Sequence, residues 1–272
     1  MNRNRLIIVI ISVSIVSILS ALIIFSHNPV IVDNKAQAQP LAALLEEAQD
    51  LERKGDLIGL KAVYQKLIND FPNHKDIIRW QKNLDELNLK IIFSAMIVPG
   101  LSQEYEVQPL DTLTKIARQF NTTIELLKKS NGLSSDKINP GRRLKVWTAK
   151  FSILIDKSQN SLILKSNDEI IKTYNVATGM NNSTPLGTFK IVNKLFNPTW
   201  YKAGAVVPPG SPENILGTRW LGFDLSGYGI HGTSEPESIG KQTTAGCVRM
   251  LNPEVEEVYT LLPVGTEVTV VD

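Results

Sequence analysis

The sequence predicts a multidomain chain: a membrane-length apolar segment, a helical region, a small strand–helix–helix–strand module, and a mainly-β C-terminal domain carrying one late helix. Three observations support this. Residues 6–25 hold no charged side chain, apolar residues recur at helical spacing over residues 40–93, and from Phe151 the period falls to two. At 272 residues the chain suits two or three units better than one. A net charge of +2, with Lys and Arg interspersed among Asp and Glu, argues against a nucleic-acid partner.

Residues 1–39 read as a cytoplasmic stub, a transmembrane anchor and a linker. Twenty residues, 6–25, interrupted only by serines, span about 30 Å as a helix. Arg3 and Arg5 precede the run, and Asp33 and Lys35 are the first charges after it. The positive-inside bias then predicts a single-pass protein of the cell membrane, with its N-terminus in the cytoplasm and the remainder on the cell-wall side. A cleaved signal peptide is the alternative. Ala36-Gln37-Ala38 is similar to a cleavage site, but it lies far beyond the run, which exceeds the usual apolar core of about 7–15 residues. Either way the folded part is extracytoplasmic, and its single cysteine has no internal disulfide partner.

Residues 40–93 predict helices. Leu44, Ala48 and Leu51 share one face, and Leu60, Val63, Tyr64, Leu67 and Ile68 another, with Gly55-Asp56 between them. Phe71-Pro72-Asn73 breaks the second helix, and Ile77, Trp80, Leu84, Leu87 and Ile91 form a third. Ala48, Leu51, Gly55-Asp56, Ala62, Tyr64, Leu67 and Pro72 resemble one tetratricopeptide unit. A solenoid needs about three repeats for a continuous core, so two uses stay open: a spacer from the membrane, or a groove for a protein partner.

Pro99-Gly100 marks a linker, and residues 104–148 form the compact module. A strand at Tyr105-Glu106-Val107 leads to a helix capped by Asp111 or Thr112, with Leu113, Ile116, Ala117 and Phe120 inward. A second helix from Thr122 or Thr123 stops at Asn131-Gly132, and Leu144-Lys145-Val146 is the closing strand. This order, with Tyr105, Val107, Asp111-Thr112-Leu113, Ile116-Ala117, Leu127, Asn131, Ile138, Gly141 and Leu144, resembles a LysM domain. The resemblance implies binding to the N-acetylglucosamine glycan of peptidoglycan, with Asp111, Thr112 and Asn131 as its candidate contacts. The family's usual glycine before the Asp-Thr pair is Leu110 here.

In residues 150–272 Phe151, Ile153 and Ile155 alternate with Ser152, Leu154 and Asp156, and residues 162–164, 170–176 and 189–192 read as further strands. The Pro- and Gly-rich stretch 197–217 is an irregular loop of the kind that forms lids. Asn252 caps the one helix, Pro253 takes its first position, and residues 267–271 close the sheet.

His231, in Gly229-Ile230-His231-Gly232-Thr233, precedes Cys247, in Thr244-Ala245-Gly246-Cys247-Val248-Arg249-Met250, by sixteen residues. His27 lies beside the apolar run and His74 in the helical region, so His231 is the histidine that shares a domain with Cys247. An imidazole that takes the thiol proton makes the thiolate a nucleophile. With Thr184-Pro185-Leu186-Gly187-Thr188-Phe189 and Leu216-Gly217-Thr218-Arg219-Trp220-Leu221, these segments resemble the L,D-transpeptidase catalytic domain over about 120 residues. Where many members carry a histidine before the Gly of the cysteine motif, this chain has Ala245.

The resemblance implies that Cys247 attacks a tetrapeptide stem of peptidoglycan, releasing D-Ala, and that the acyl group passes to a neighbouring stem as a 3→3 cross-link. It also implies that His231 is the base, oriented by the Gly232 carbonyl, and that N–H groups around Gly246 and Cys247 stabilise the oxyanion. Arg249 points to the Cys247 side of an extended segment, where its fork suits a stem carboxylate or a brace for the loop. Thr244, Gly246 and Tyr228 complete the candidate substrate contacts, and Trp220, Tyr228 and Trp200 are candidate walls of the cleft. No cofactor is implied, and no ligand cluster has metal-site spacing. An L,D-carboxypeptidase with water as acceptor and a non-catalytic wall-binding scaffold remain alternatives.

Overall fold

The computed structural model describes residues 34–272 except Ala203, so the expected membrane span at residues 6–25 lies outside the described residues. Among those described, no helix is long and apolar enough to cross a membrane. Residues 41–272 make one compact unit.

Helices α1 (Asn34–Lys54), α2 (Leu57–Asp70) and α3 (Ile77–Phe93) form the helical region. The break between α1 and α2 falls at Gly55, whose φ of +70° suits glycine, and Asp56 caps α2 by accepting the Gly59 N–H at 2.9 Å. Leu44, Ala48, Leu60, Val63, Leu67 and Trp80 share one apolar core. α1 starts at Asn34 and runs through Pro40, earlier than the expected boundary at residue 40.

The small module has the expected order: β1 (Ser102–Glu106), α4 (Leu113–Gln119), α5 (Ile124–Ser130) and β2 (Arg143–Trp147), with β1 antiparallel to β2. Thr112 and Thr123 are the two N-caps, accepting the N–H groups of Lys115 and Leu126. Ile116, Leu127, Leu144 and Val146 fill its core.

The C-terminal domain continues with β3 (Phe151–Asp156), β4 (Ser161–Ser166), β5 (Glu169–Asn175), β6 (Thr178–Gly179) and β7 (Gly187–Phe196). A hairpin of β8 (Trp200–Lys202) and β9 (Ala205–Val207) follows, then β10 (Arg219–Phe223), β11 (Gly229–His231), β12 (Gln242–Thr244), β13 (Val248–Arg249), α6 (Asn252–Leu261) and β14 (Glu267–Val271). Eight strands make one sheet in the order β13-β11-β10-β7-β14-β3-β4-β5. Two expectations change. β14 does not close the sheet at an edge; it lies inside it, parallel to β3 and antiparallel to β7, because Val268 and Val270 bury against both neighbours. The stretch 197–217 is not wholly irregular, since β8 and β9 pair within it.

The helical region is built onto this sheet. β5 is an edge strand, and an uncovered edge leaves N–H and C=O groups open to other chains. α3 covers it: Asn88 Nδ2 donates to the Ile171 carbonyl at 3.0 Å, and the Thr173 N–H donates to Asp85 Oδ2 at 3.3 Å. Lys61 from α2 pairs with Glu169 at 2.7 Å. A second tie comes from the small module, where Lys145 Nζ donates to the carbonyls of Ile91, Ile92 and Ser94 at 2.8, 3.1 and 2.8 Å. Those carbonyls stand at the C-terminal end of α3, where the helix dipole favours a cation. Lys145 is 3% exposed, and burial lowers its pKa to about 8.

Lys145→Met keeps the stem and removes the ammonium, leaving three carbonyls without this donor. The expected loss is about 1–3 kcal/mol of stability, read by denaturant unfolding. An unchanged midpoint and slope would refute the tie.

Candidate active site

Three pairings place one row of side chains across the sheet. Leu195 on β7 faces Trp220 on β10, Trp220 faces His231 on β11, and His231 lies beside Arg249 on β13. Alternation puts the next row on the opposite face: Lys194, Leu221, Ile230 and Val248, of which the last three are fully buried under α6. Leu195, Trp220, His231 and Arg249 all line one cleft of about 410 Å3. β11 and β13 are parallel with His231 opposite Arg249, and Cys247 stands in the bend that leads into β13. It lines the cleft too, with Trp200 and Thr244.

The cysteine loop is held from behind. Gly246 has a φ of +134°, and a Cβ there would stand 2.6 Å from Tyr228 Cε1 and 3.1 Å from the Ser183 carbonyl oxygen. Only glycine satisfies both backbone and space. Thr244 Oγ1 donates to the Cys247 carbonyl at 2.6 Å and accepts the Gly246 N–H at 3.1 Å. That N–H, expected to face an oxyanion, is therefore engaged, and Cys247 N–H is the donor left at this corner. The Cys247 thiol donates to the Gly227 carbonyl at 3.4 Å, and no hydrogen bond joins it to His231 among the described residues.

His231 is 2% exposed, and its Nδ1 lies 2.6 Å from the carbonyl of Gly232, the nearest candidate for that contact. A carbonyl only accepts, so Nδ1 carries the proton and Nε2 keeps its lone pair. The Trp220 indole stacks on the ring, with centroids 5.9 Å apart and planes at 19°. Burial first, then the Arg249 charge, lowers the imidazole pKa to about 4, against the opposing bond to Gly232. Burial raises the Cys247 thiol, opposed by the Gly229 N–H and by Arg249. At pH 7 the imidazole is therefore neutral. The resting pair is therefore a neutral thiol and a neutral base.

The remaining expected residues divide. Arg249 braces the loop: its Nη1 donates to Glu235 Oε2 at 2.5 Å and to Ser238 Oγ at 3.1 Å, while its buried Nε has no partner among the described residues. Tyr228 is not a wall of the cleft; its ring sits behind Gly246, because the space against the glycine Cα is open to it. Asp111 accepts from the Tyr105 hydroxyl at 2.7 Å and the Gln108 N–H at 2.9 Å, which holds its carboxyl below the usual range. Asn131 Nδ2 donates to the carbonyls of Leu127 and Lys145, and its Oδ1 accepts the Lys145 N–H. With Thr112 as a cap, these three shape the loops of the small module from within. Glu235, Ser238 and Asn252 were missed as site residues, because no local spacing ties them to His231 or Cys247. Asn252 was expected to cap α6, but the N-cap position is Leu251 and the Asn252 side chain bonds elsewhere.

The family model of the YkuD-type L,D-transpeptidase catalytic domain matches residues 150–270, and that of the LysM domain matches residues 105–147. A Bacillus licheniformis protein named as the L,D-transpeptidase YkuD is 35% identical over 174 residues, covering 61% of this chain and 97% of that protein. Its Bacillus subtilis namesake is 33% identical over 173 residues, again covering 61% and 97%. A second Bacillus subtilis protein, named as the L,D-transpeptidase YqjB, is 40% identical over 126 residues, covering 44% of this chain and 70% of that one.

An imidazole of pKa about 4 stays a base in mild acid. Acylation of Cys247 by a β-lactam probe, followed by mass spectrometry from pH 4 to 8, is expected to lose rate only as pH falls toward about 4. An acid limb at the ordinary histidine value, about 6.5, would mean that the ring is solvated.

Proposed function

The chain belongs to the L,D-transpeptidase family and carries a LysM domain ahead of the catalytic domain, and on that premise we propose that it is a membrane-anchored enzyme that forms 3→3 cross-links in peptidoglycan through a Cys247 thioester. The reading rests on one observation above others: Cys247 and His231 line one cleft, with the imidazole held as a neutral Nδ1–H base.

The reaction follows from those groups. A tetrapeptide stem lies in the cleft with the carbonyl of its third residue at Sγ. The thiol turns from the Gly227 carbonyl, and His231 Nε2 takes its proton as sulfur attacks the carbonyl carbon. The oxyanion meets the Cys247 N–H, and one such donor is worth about 3–4 kcal/mol in other acyl-transfer sites. The C–N bond then breaks, and the imidazolium returns the proton to the departing D-Ala amine. A side-chain amine of a second stem attacks the thioester, His231 accepts its proton, and the amide forms as the thiol is restored. Arg249, whose Nη1 is spent on Glu235 and Ser238, keeps the loop that carries Cys247 in register. The small module grips the glycan, and residues 6–25 hold the protein at the membrane with its catalytic domain on the wall side.

The full-length chain, incubated with purified disaccharide-tetrapeptide and analysed by mass spectrometry, is expected to give dimer and free D-Ala. Cys247→Ala should lower turnover roughly a thousandfold or more. Tripeptide without dimer would replace the reading with hydrolysis. Glycan binding with neither product would leave a wall-binding scaffold.

A further inference from the structure

Asn252 stands first in α6, yet its amide reaches back under the histidine segment. Its Oδ1 accepts the Thr233 N–H at 3.0 Å and the Thr218 N–H at 3.2 Å, and its Nδ2 donates to the Thr233 carbonyl at 2.9 Å. Thr233 N and the Gly232 carbonyl belong to one peptide group. No peptide bond among the described residues is cis, and in a trans peptide the N–H and C=O point in opposite directions. Fixing the Thr233 N–H on Asn252 therefore fixes the Gly232 oxygen on His231 Nδ1, where it stands at 2.6 Å. A donor bond on one side of a peptide also strengthens its carbonyl as an acceptor.

Two glycines make room for this amide. A Cβ at Gly232 or at Gly217 would lie 2.2 Å from Asn252 Oδ1, and one at Gly217 would lie 2.4 Å from Thr233 N. Gly217-Thr218 ends the long 197–217 loop over the cleft, so one side chain ties the base of that loop to the histidine segment.

We propose that Asn252 is a positioning residue: through the Gly232–Thr233 peptide it holds His231 as the Nδ1–H tautomer, with Nε2 left to accept the thiol proton. The proposal rests on His231 being the base of the reaction above, so its primary readout is taken without substrate.

The test uses the full-length chain with 15N-labelled histidine, the His231 signals being identified by their loss in His231→Gln. In the wild type, Nδ1 is expected to carry the proton and Nε2 to be bare. In Asn252→Ala the ring should become a mixture of tautomers, with kcat on the tetrapeptide down about a hundredfold, the scale of a misplaced catalytic group, and KM nearly unchanged. Asn252→Asp keeps an oxygen for both N–H groups and should hold the tautomer and recover most of kcat. A wild-type ring protonated on Nε2 overturns the proposal before any variant is made. A folded Asn252→Ala with an unmixed tautomer and wild-type kcat also overturns it. Where Asn252→Ala does not fold, Asn252→Asp decides, and loss of the tautomer in that folded variant counts against the proposal. An inactive wild type whose His231 is still Nδ1–H would count against the proposed reaction and not against Asn252.

Discussion

The parallel, in-register pairing of β11 with β13 is the constraint on which the site depends. It sets His231 beside Arg249, and Cys247, in the bend that enters β13, lines the same cleft. Shifting the register by one residue would turn either His231 or Arg249 into the layer of Leu221, Ile230 and Val248. That layer is fully buried against α6, so burying a polar ring or a guanidinium in place of an apolar side chain would be costly. The core packed beneath the sheet thus selects the register that makes the cleft above it.

The same burial determines the electrostatics. An imidazole 2% exposed, stacked on Trp220 and near the Arg249 guanidinium, stays neutral, and the thiol beside it stays protonated. The site therefore differs from a cysteine–histidine pair kept as thiolate and imidazolium. In the proposed reaction the charge appears only when a substrate carbonyl is present to take it. A low-dielectric cleft then strengthens whatever donor meets the oxyanion. Arg249 supplies positive potential but is itself tied to Glu235 and Ser238, so it acts from a fixed position.

The domains ahead of the catalytic fold are coupled to it. α3 satisfies the open edge of β5, and Lys145 of the LysM domain satisfies the open end of α3. Thr123 at the head of α5 donates to the Thr260 carbonyl in α6, which ties the LysM domain directly to the catalytic domain. Each contact sets a side chain from one domain on a backbone group of another. In the proposed function this fixes the distance between the glycan-binding module and the cleft.

Much of this was legible in the sequence, for a local reason. The helices of residues 41–93, the order of the LysM elements and the alternation from Phe151 are recorded as periods and caps within a few residues of one another, and Cys247, His231 and Gly232 lie in short motifs whose chemistry is intrinsic to the residue types. What the sequence could not specify were the long-range pairings. β14 lies between β7 and β3, Tyr228 stands behind Gly246 where it was expected in the cleft, and Asn252 spends its amide on Thr218 and Thr233 rather than on its own helix. Composition and spacing determined which groups this protein has. Only the tertiary structure decided which of them meet, because a hydrogen bond between residues far apart in sequence leaves no period to read and exists only once the sheet has its order.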